Sequence, residues 1–271
     1  MNKYEITGDG TNNILILTGV HGNEFTPLYC GYLLKSASFN KENFKKITIL
    51  NAINENGIKN NSREIQYNST NDLNRKFDVN DNEININELI TAFNENDVII
   101  DVHSSPKCTE FALLNQNEYT NSYVHFLVNN NINYLIRYSN TNTIKKYCLD
   151  LNKISFTVEL NQISYIDYDS AEKGVQIIQK IVNNIQDFEL YNGEPYYDEF
   201  FEYFTYKEGL FIPKTKCGDI IEFGQHIGQL LNLKTFELED LYYTKEKAII
   251  ICSSEHQYVS ANNSIYFLQP I

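Results

Sequence analysis

The sequence predicts an α/β domain followed by a small all-β module, and three observations carry that expectation. Between residues 1 and 190, short runs rich in Ile, Leu and Val alternate with stretches of helical spacing, the pattern of a mainly parallel sheet joined by helices. From residue 195 the helical spacing stops, and short β-type runs follow one another between Gly, Asn and charged residues. A chain of 271 residues is long enough for one medium and one small core. The expected domains are therefore 1–190 and 195–271.

Each element has its own local reason. Ile14-Leu15-Ile16-Leu17-Thr18 has the length and composition of a buried strand, and Phe25–Leu34 after it reads as a helix. Lys46–Asn51 is a second buried strand. The polar stretch 54–82 is too long for a simple connection, and loops of that length in a compact domain are usually functional or disordered. Helical spacing returns over 84–93, and 97–103 is a third strand that ends in polar residues. Helices are expected over 123–129 and 143–149, with strands over 132–138 and 154–160. Val175, Ile177, Ile178, Ile181, Val182 and Ile185 form one apolar face of a helix over 171–185 that closes the first domain. The β module is read from runs at 209–213, 219–222, 226–230, 247–252 and 264–268, with the aromatic, acidic segment 196–206 as the bridge to it.

Composition excludes several classes. Hydrophobic content of 42% and charged content of 21% are ordinary for a globular protein, and no run approaches the roughly 18 apolar residues of a membrane span. The N-terminus has no basic start followed by an apolar segment, so a cytoplasmic location is expected. Five cysteines, widely spaced and without a C-x-x-C pair, read as reduced packing residues. A net charge of -13 argues against nucleic acid and anionic membranes as partners, since both attract clustered Lys and Arg. A small anionic substrate stays compatible if its site is locally basic. Only three arginines occur, Arg63, Arg75 and Arg137, in a chain that uses Lys freely, so each is a candidate for a task that needs the planar guanidinium fork.

The chemistry is expected to gather around Gly19-Val20-His21-Gly22-Asn23-Glu24, a sharp strand-to-helix turn. Imidazole nitrogen and carboxylate oxygen are normal zinc ligands, so His21 and Glu24, three apart, can both reach one ion. His103 is the candidate third ligand, because it ends a buried strand at the sheet edge where ligands collect. Two histidines and one glutamate make a catalytic zinc set with one position left for water, one Zn2+ per chain. Asp101 shares the strand face of His103 and is expected to orient its imidazole. Glu159, between Val158 and Leu160 near another strand end, is the candidate general base, since a buried carboxylate there needs a task or a partner. The 54–82 excursion brings Arg63 and Asp72-Leu73-Asn74-Arg75. One guanidinium there suits an oxyanion, and another, with an amide, suits a substrate carboxylate. Asp72 is expected in the surround of the metal site.

His21-Gly22-Asn23-Glu24, Arg63, Asp72-Leu73-Asn74-Arg75, Asp101-Val102-His103 and Thr157-Val158-Glu159-Leu160, in that order, resemble the succinylglutamate desuccinylase/aspartoacylase family, zinc hydrolases related in fold to the metallocarboxypeptidases. The resemblance implies a zinc-carboxypeptidase-like α/β/α domain with a mixed or mostly parallel sheet. It also implies zinc on His21, Glu24 and His103, Glu159 as base, Arg63 polarising the scissile carbonyl, and Asn74 with Arg75 on the substrate α-carboxylate. Gly209-Leu210-Phe211-Ile212-Pro213 and the run 217–228 are similar to the lipoyl-like β-sandwich that often follows that domain. Two departures stand out: Asn161 where many members have Gly, and Asn54-Glu55 where many have Asn-Pro. Mammalian members hold a substrate side-chain carboxylate with an Arg shortly before the base; here that neighbourhood offers Lys145, Lys146 and, farther away, Arg137.

The function expected is zinc-dependent amide hydrolysis, deacylating an N-acyl amino acid or similar small carboxylated amide. The expected partner is a small anionic N-acyl amino acid or peptide, and a homo-oligomer is left open. Two other readings share these residues: a metallocarboxypeptidase that releases a C-terminal residue, and a zinc-containing binding protein without catalysis.

Overall fold

The computed structural model describes residues 2–64, 72–77, 84–115, 120–137, 143–191, 201–254 and 258–271. Residues 65–71 and 78–82 of the 54–82 excursion, residues 196–200 of the aromatic segment, His256 and the side chain of Arg137 lie outside the described residues. The chain divides into two compact units, Met1–Ser105 with Glu110–Glu194, and Pro106–Thr109 with Pro195–Ile271.

In the first unit the elements run β1 (Asn2–Thr7), β2 (Asn13–Thr18), α1 (Phe25–Leu34), β3 (Lys46–Asn51), α2 (Glu55–Asn60), α3 (Ile84–Glu95), β4 (Val98–Ser105), β5 (Phe111–Asn115), α4 (Thr120–Asn129), β6 (Tyr134–Arg137), α5 (Ile144–Asp150), β7 (Ile154–Asn161) and α6 (Tyr168–Asn183). The strands form one seven-stranded sheet in the order β1-β3-β2-β4-β7-β5-β6. Pairing is parallel at its centre, β3-β2-β4-β7, and antiparallel where β1 meets β3 and β5 meets β7, so the sheet is mixed.

Alternation along β2 shows how the sheet is covered on two faces. Leu15 and Leu17 pack in one cluster with Leu89 and Phe93 of α3 and Ile144 and Cys148 of α5. Thr18 points the opposite way, toward α1, where a Cβ on Gly31 would touch its hydroxyl. Ile14 to Leu17 are all fully buried, as expected of a strand covered on both sides. The start of α6 is set by Asp167, whose carboxylate accepts from the Ser170 N–H, so this helix begins three residues before the expected 171 and ends at Asn183. Strand β5 and helix α2 were not expected from periodicity: the first has five residues, the second six with Gly57 among them.

The second unit contains β8 (Phe201–Phe204), β9 (Gly209–Pro213), β10 (Ile220–Ile221), β11 (His226–Leu231), β12 (Leu238–Tyr243), β13 (Ala248–Ser253), β14 (Tyr258–Val259) and β15 (Ser264–Pro270). They form two four-stranded antiparallel sheets, β10-β13-β15-β8 and β12-β11-β9-β14, around a core that includes Phe211, Ile227, Leu230, Ile250, Tyr266 and Leu268. Among the described residues no helix is long and apolar enough to cross a membrane, and all five cysteines are free.

Candidate metal centre and substrate cavity

Sheet order explains how residues far apart in sequence meet. β2, β4 and β7 are adjacent parallel strands, so their C-terminal ends share one edge. His21 follows β2, His103 lies near the end of β4, and Glu159 is its register partner on β7.

The turn after β2 has a demanding backbone. Gly19 has φ +72°, a conformation that L side chains rarely adopt. At Gly22 a Cβ would run into the backbone of Gly57 and Ile58, so only glycine lets this turn lie against α2. Asn54 completes the join. Its N–H donates to the Gly19 carbonyl at 2.8 Å, its Oδ1 accepts from the Gly57 N–H at 2.9 Å, and its Nδ2 donates to the Arg63 carbonyl at 3.4 Å. The start of the polar excursion is thereby tied to the His21 turn.

Glu24 stands at the N-cap position of α1 but makes no side-chain capping bond. Its carboxylate instead turns inward, where Oε2 accepts from the Ser104 N–H at 2.9 Å. His21 Nδ1 lies 2.8 Å from Glu24 Oε1, His103 Nδ1 lies 3.1 Å from Glu24 Oε2, and the two Nδ1 atoms are 3.0 Å apart. All three side chains are buried.

The far sides of both rings decide what these nitrogens offer. His103 Nε2 is 2.8 Å from Asp101 Oδ2, and His21 Nε2 is 3.1 Å from Asp72 Oδ1. Asp101 and Asp72 can each accept a hydrogen from Nε2, and in that tautomer each Nδ1 presents a lone pair toward Glu24. The Asn74 amide at 3.3 Å from His103 Nε2 is the weaker contact, and the closer carboxylate sets the tautomer. Two lone pairs facing each other at 3.0 Å beside a carboxylate repel unless a proton or a cation sits among them.

Electrostatics agrees. Burial lowers the pKa of His103, but the charges of Asp101 and Glu24 outweigh it and raise it well above the ordinary histidine value. Burial raises that of Glu24, yet the charge and hydrogen bonds of His103, with the bond from His21, hold the carboxyl down at about 2. Asp72 is lowered too, its desolvation outweighed by His21 and Arg63. A field that holds an extra proton on a buried imidazole also favours a metal cation.

Spacing is compatible with zinc. Ligand atoms about 2.0–2.1 Å from one tetrahedral zinc lie about 3.3 Å from each other. The three contacts above fall within about half an ångström of that separation, and the donor set of two neutral imidazoles and a carboxylate is one that zinc takes.

These groups open onto a cavity of about 220 Å³ whose wall also contains Arg63, Asn74, Arg75, Asp101, Lys145 and Glu159. Arg63 is held by Asp72, with Nε and Nη2 at 3.2 and 3.1 Å from Oδ2, while Nη1 stands 3.5 Å from Glu24 Oε1. Asn74 Oδ1 accepts from the Ile144 N–H at 2.8 Å, which turns Nδ2 toward the site, 3.3 Å from His103 Nε2. Arg75 is exposed and its Nη1 donates to the Asn74 carbonyl at 2.7 Å. Glu159 Oε2 accepts from the Ser105 hydroxyl at 2.9 Å. All nine residues expected at the site therefore lie in this neighbourhood. Of the basic candidates, Lys145 is on the cavity wall, whereas Lys146 is half-buried and pairs with Asp150 at 2.5 Å. Sequence reasoning missed Asn54, the Ser104 N–H and Ser105.

A family model for the succinylglutamate desuccinylase/aspartoacylase catalytic domain matches residues 10–185. The chain belongs to the succinylglutamate desuccinylase/aspartoacylase family. Members of this family are in general hydrolytic deacylases and typically zinc-dependent. Solved structures share the fold over nearly the whole chain. The product-bound ectoine utilization protein EutE (DoeB) from Ruegeria pomeroyi superposes with a TM-score of 0.73 at 16% identity, covering 99% of this chain and 88% of its own. A succinylglutamate desuccinylase from a Silicibacter species gives 0.71 at 16% identity with the same coverage. A succinylglutamate desuccinylase/aspartoacylase from Rhodobacter sphaeroides gives 0.71 at 15% identity, again covering 99% and 88%. A comparison with curated protein sequences finds no match.

Proposed function

We propose that this member of the succinylglutamate desuccinylase/aspartoacylase family is a zinc-dependent amide hydrolase that removes the acyl group from an N-acyl amino acid or similar small carboxylated amide. The observation that carries the reading is the convergence of His21 Nδ1, His103 Nδ1 and the Glu24 carboxylate on one point, at the wall of a cavity that also holds Glu159 and two arginines.

Zinc bound by His21, Glu24 and His103 would supply Lewis-acid activation of the amide carbonyl and of a water molecule. Glu159 takes a proton from the attacking water and returns it to the nitrogen of the leaving amine, so the carboxylate is regenerated each cycle. Its buried position at the cavity wall and the bond from Ser105, which holds the carboxylate in place, support the role. Arg63 steadies the oxygen of the attacked carbonyl as negative charge develops there. The Asn74 amide and the Arg75 guanidinium hold the substrate carboxylate, and Asp101 and Asp72 keep both imidazoles in the tautomer that offers Nδ1. Free cysteines throughout support a reducing, cytoplasmic location as part of this reading.

The test is a screen of N-acyl amino acids and short peptides with zinc-loaded wild type and Glu159→Gln. Amine release from acyl amino acids is expected in the wild type, with the variant keeping its metal and losing about 10²- to 10⁴-fold in kcat. Equal rates would remove Glu159 from the mechanism. Release of C-terminal residues alone would make the protein a carboxypeptidase, and inertness across both panels would make it a binding protein.

A further inference from the structure

Two cysteines of the second unit face each other across a short backbone pairing. Cys108 lies in Pro106–Thr109, the stretch after β4 that belongs to the second unit, and Cys252 lies in β13. Strand β10 pairs only with the start of β13, Ile220 with Ile249 and Ile221 with Ala248. Farther along β13, Cys108 and Cys252 form an antiparallel bridge. The Thr109 N–H donates to the Ile251 carbonyl at 2.8 Å, and the Ser253 N–H donates to the Lys107 carbonyl at 2.9 Å. These bonds flank the two cysteines without joining them, which makes Cys108 and Cys252 a non-hydrogen-bonded pair, the arrangement in which facing side chains come closest. Cα atoms in such a pair are about 4.5 Å apart, within the roughly 4.4–6.8 Å that a disulfide spans.

The same segment is held by a third thiol. Lys107 has φ +49°, uncommon for a residue with a side chain, and such a backbone persists where its surroundings fix it. Cys217 is one of the groups that fix it: Sγ donates to the Lys107 carbonyl at 2.8 Å and lies 3.5 Å from the Ser253 hydroxyl. Three of the five cysteines are thus gathered at one place in the second unit, although their spacing in sequence gives no sign of it. Cys30 and Cys148 are placed differently. Both are fully buried in the first unit, and burial raises both thiols, that of Cys30 to about 12. Small apolar side chains would fill the facing positions 108 and 252 equally well, whereas two thiols at that spacing can also be joined.

We propose that Cys108 and Cys252 form a reversible disulfide when the protein meets a low-molecular-weight disulfide, and that this bond fastens Pro106–Thr109 to β13. One protein thiolate attacks the small disulfide RSSR, forms a mixed disulfide and expels RS⁻. The other protein thiolate attacks the protein sulfur of that mixed disulfide and expels the second RS⁻. Two protein S–H bonds and one S–S bond become one protein S–S bond and two RSH, with two electrons passing from the protein to the small disulfide. In a reducing compartment such a bond is transient and forms under oxidative load. No cysteine lines the metal-centre cavity, so the inference is independent of the hydrolase reading.

The experiment exposes the native full chain to oxidised glutathione at neutral pH for several hours, quenches it with an alkylating reagent and maps the linkages by proteolysis and mass spectrometry. Wild type is expected to lose two of its five thiols and to give one intramolecular Cys108–Cys252 link, undone by dithiothreitol. Cys108→Ala and Cys252→Ala, checked for folding by circular dichroism, should give no intramolecular link, and Cys217→Ala should give the wild-type link. A second measurement needs no variant: the urea midpoint of wild type is expected to rise on oxidation and to return with dithiothreitol, because the bond closes a long loop of the unfolded chain. Survival of all five thiols in the native protein, a link from Cys217 in place of Cys108–Cys252, or a link that forms only in urea overturns the proposal. A Cys108–Cys252 link that leaves the midpoint unchanged overturns the fastening of the segment.

Discussion

In the first unit the buried polar residues include His21, Glu24, Asp101, His103, Lys145 and Glu159; in the second, those among the described residues are Thr205, Thr244 and Gln269, none of them charged. Both units bury Ile, Leu and aromatic side chains in the same manner. The second makes neutral bonds in its interior, such as Tyr266 Oη to the Ile227 carbonyl at 2.9 Å. Desolvating charge is unfavourable, so a unit that gathers six such side chains around one cavity, while the described residues of its companion bury no His, Lys, Arg, Asp or Glu, marks where the candidate site lies.

The comparison can be broken by separating stability from chemistry. Ile250→Ala in the core of the second unit should destabilise that unit by about 2–5 kcal/mol in urea unfolding and leave zinc stoichiometry unchanged. Ile16→Ala, fully buried in β2, should have an effect of the same size and also weaken zinc binding, because β2 delivers the His21 turn. If Ile250→Ala abolished zinc binding with the first unit still folded, the division of labour would be wrong.

A smaller effect sharpens it. Asp101→Asn keeps the shape of the contact to His103 Nε2 but removes the charge, and zinc affinity measured by competition with a chelator should fall about 10- to 100-fold. An unchanged affinity would demote Asp101 to packing. The smallest effect is expected from Lys146→Ala, which removes an exposed pair with Asp150: a stability change of no more than about 0.5 kcal/mol and unaltered kcat/KM. A large loss of activity there would place Lys146 in the working site.

Strand ends and their polar residues were legible in the sequence because buried strands leave a local mark. The runs around Ile14 to Leu17 and over Lys46–Asn51 lie where expected, and His21, His103 and Glu159 could be picked out as polar groups beside such runs. What the sequence hides is contact that leaves no pattern. The Ser104 N–H on Glu24 is a backbone group and belongs to no residue type. Asn54 joins three backbone segments, a role no spacing reveals. Adjacent Lys145 and Lys146 read alike in one dimension, and only the rotation of α5 sends the first into the cavity and the second to solvent. Helix α2 was lost inside the polar excursion because six residues with a central Gly57 carry too little apolar periodicity.

The central claim is that two imidazole nitrogens and one carboxylate share a divalent ion. It is tested most directly by titrating chelator-stripped protein with zinc and measuring stoichiometry for wild type and His103→Ala. One equivalent of tightly bound zinc in the wild type, lost in the folded variant, is the result predicted. Zinc that fails to bind the wild type, or that binds equally well without His103, would contradict the account.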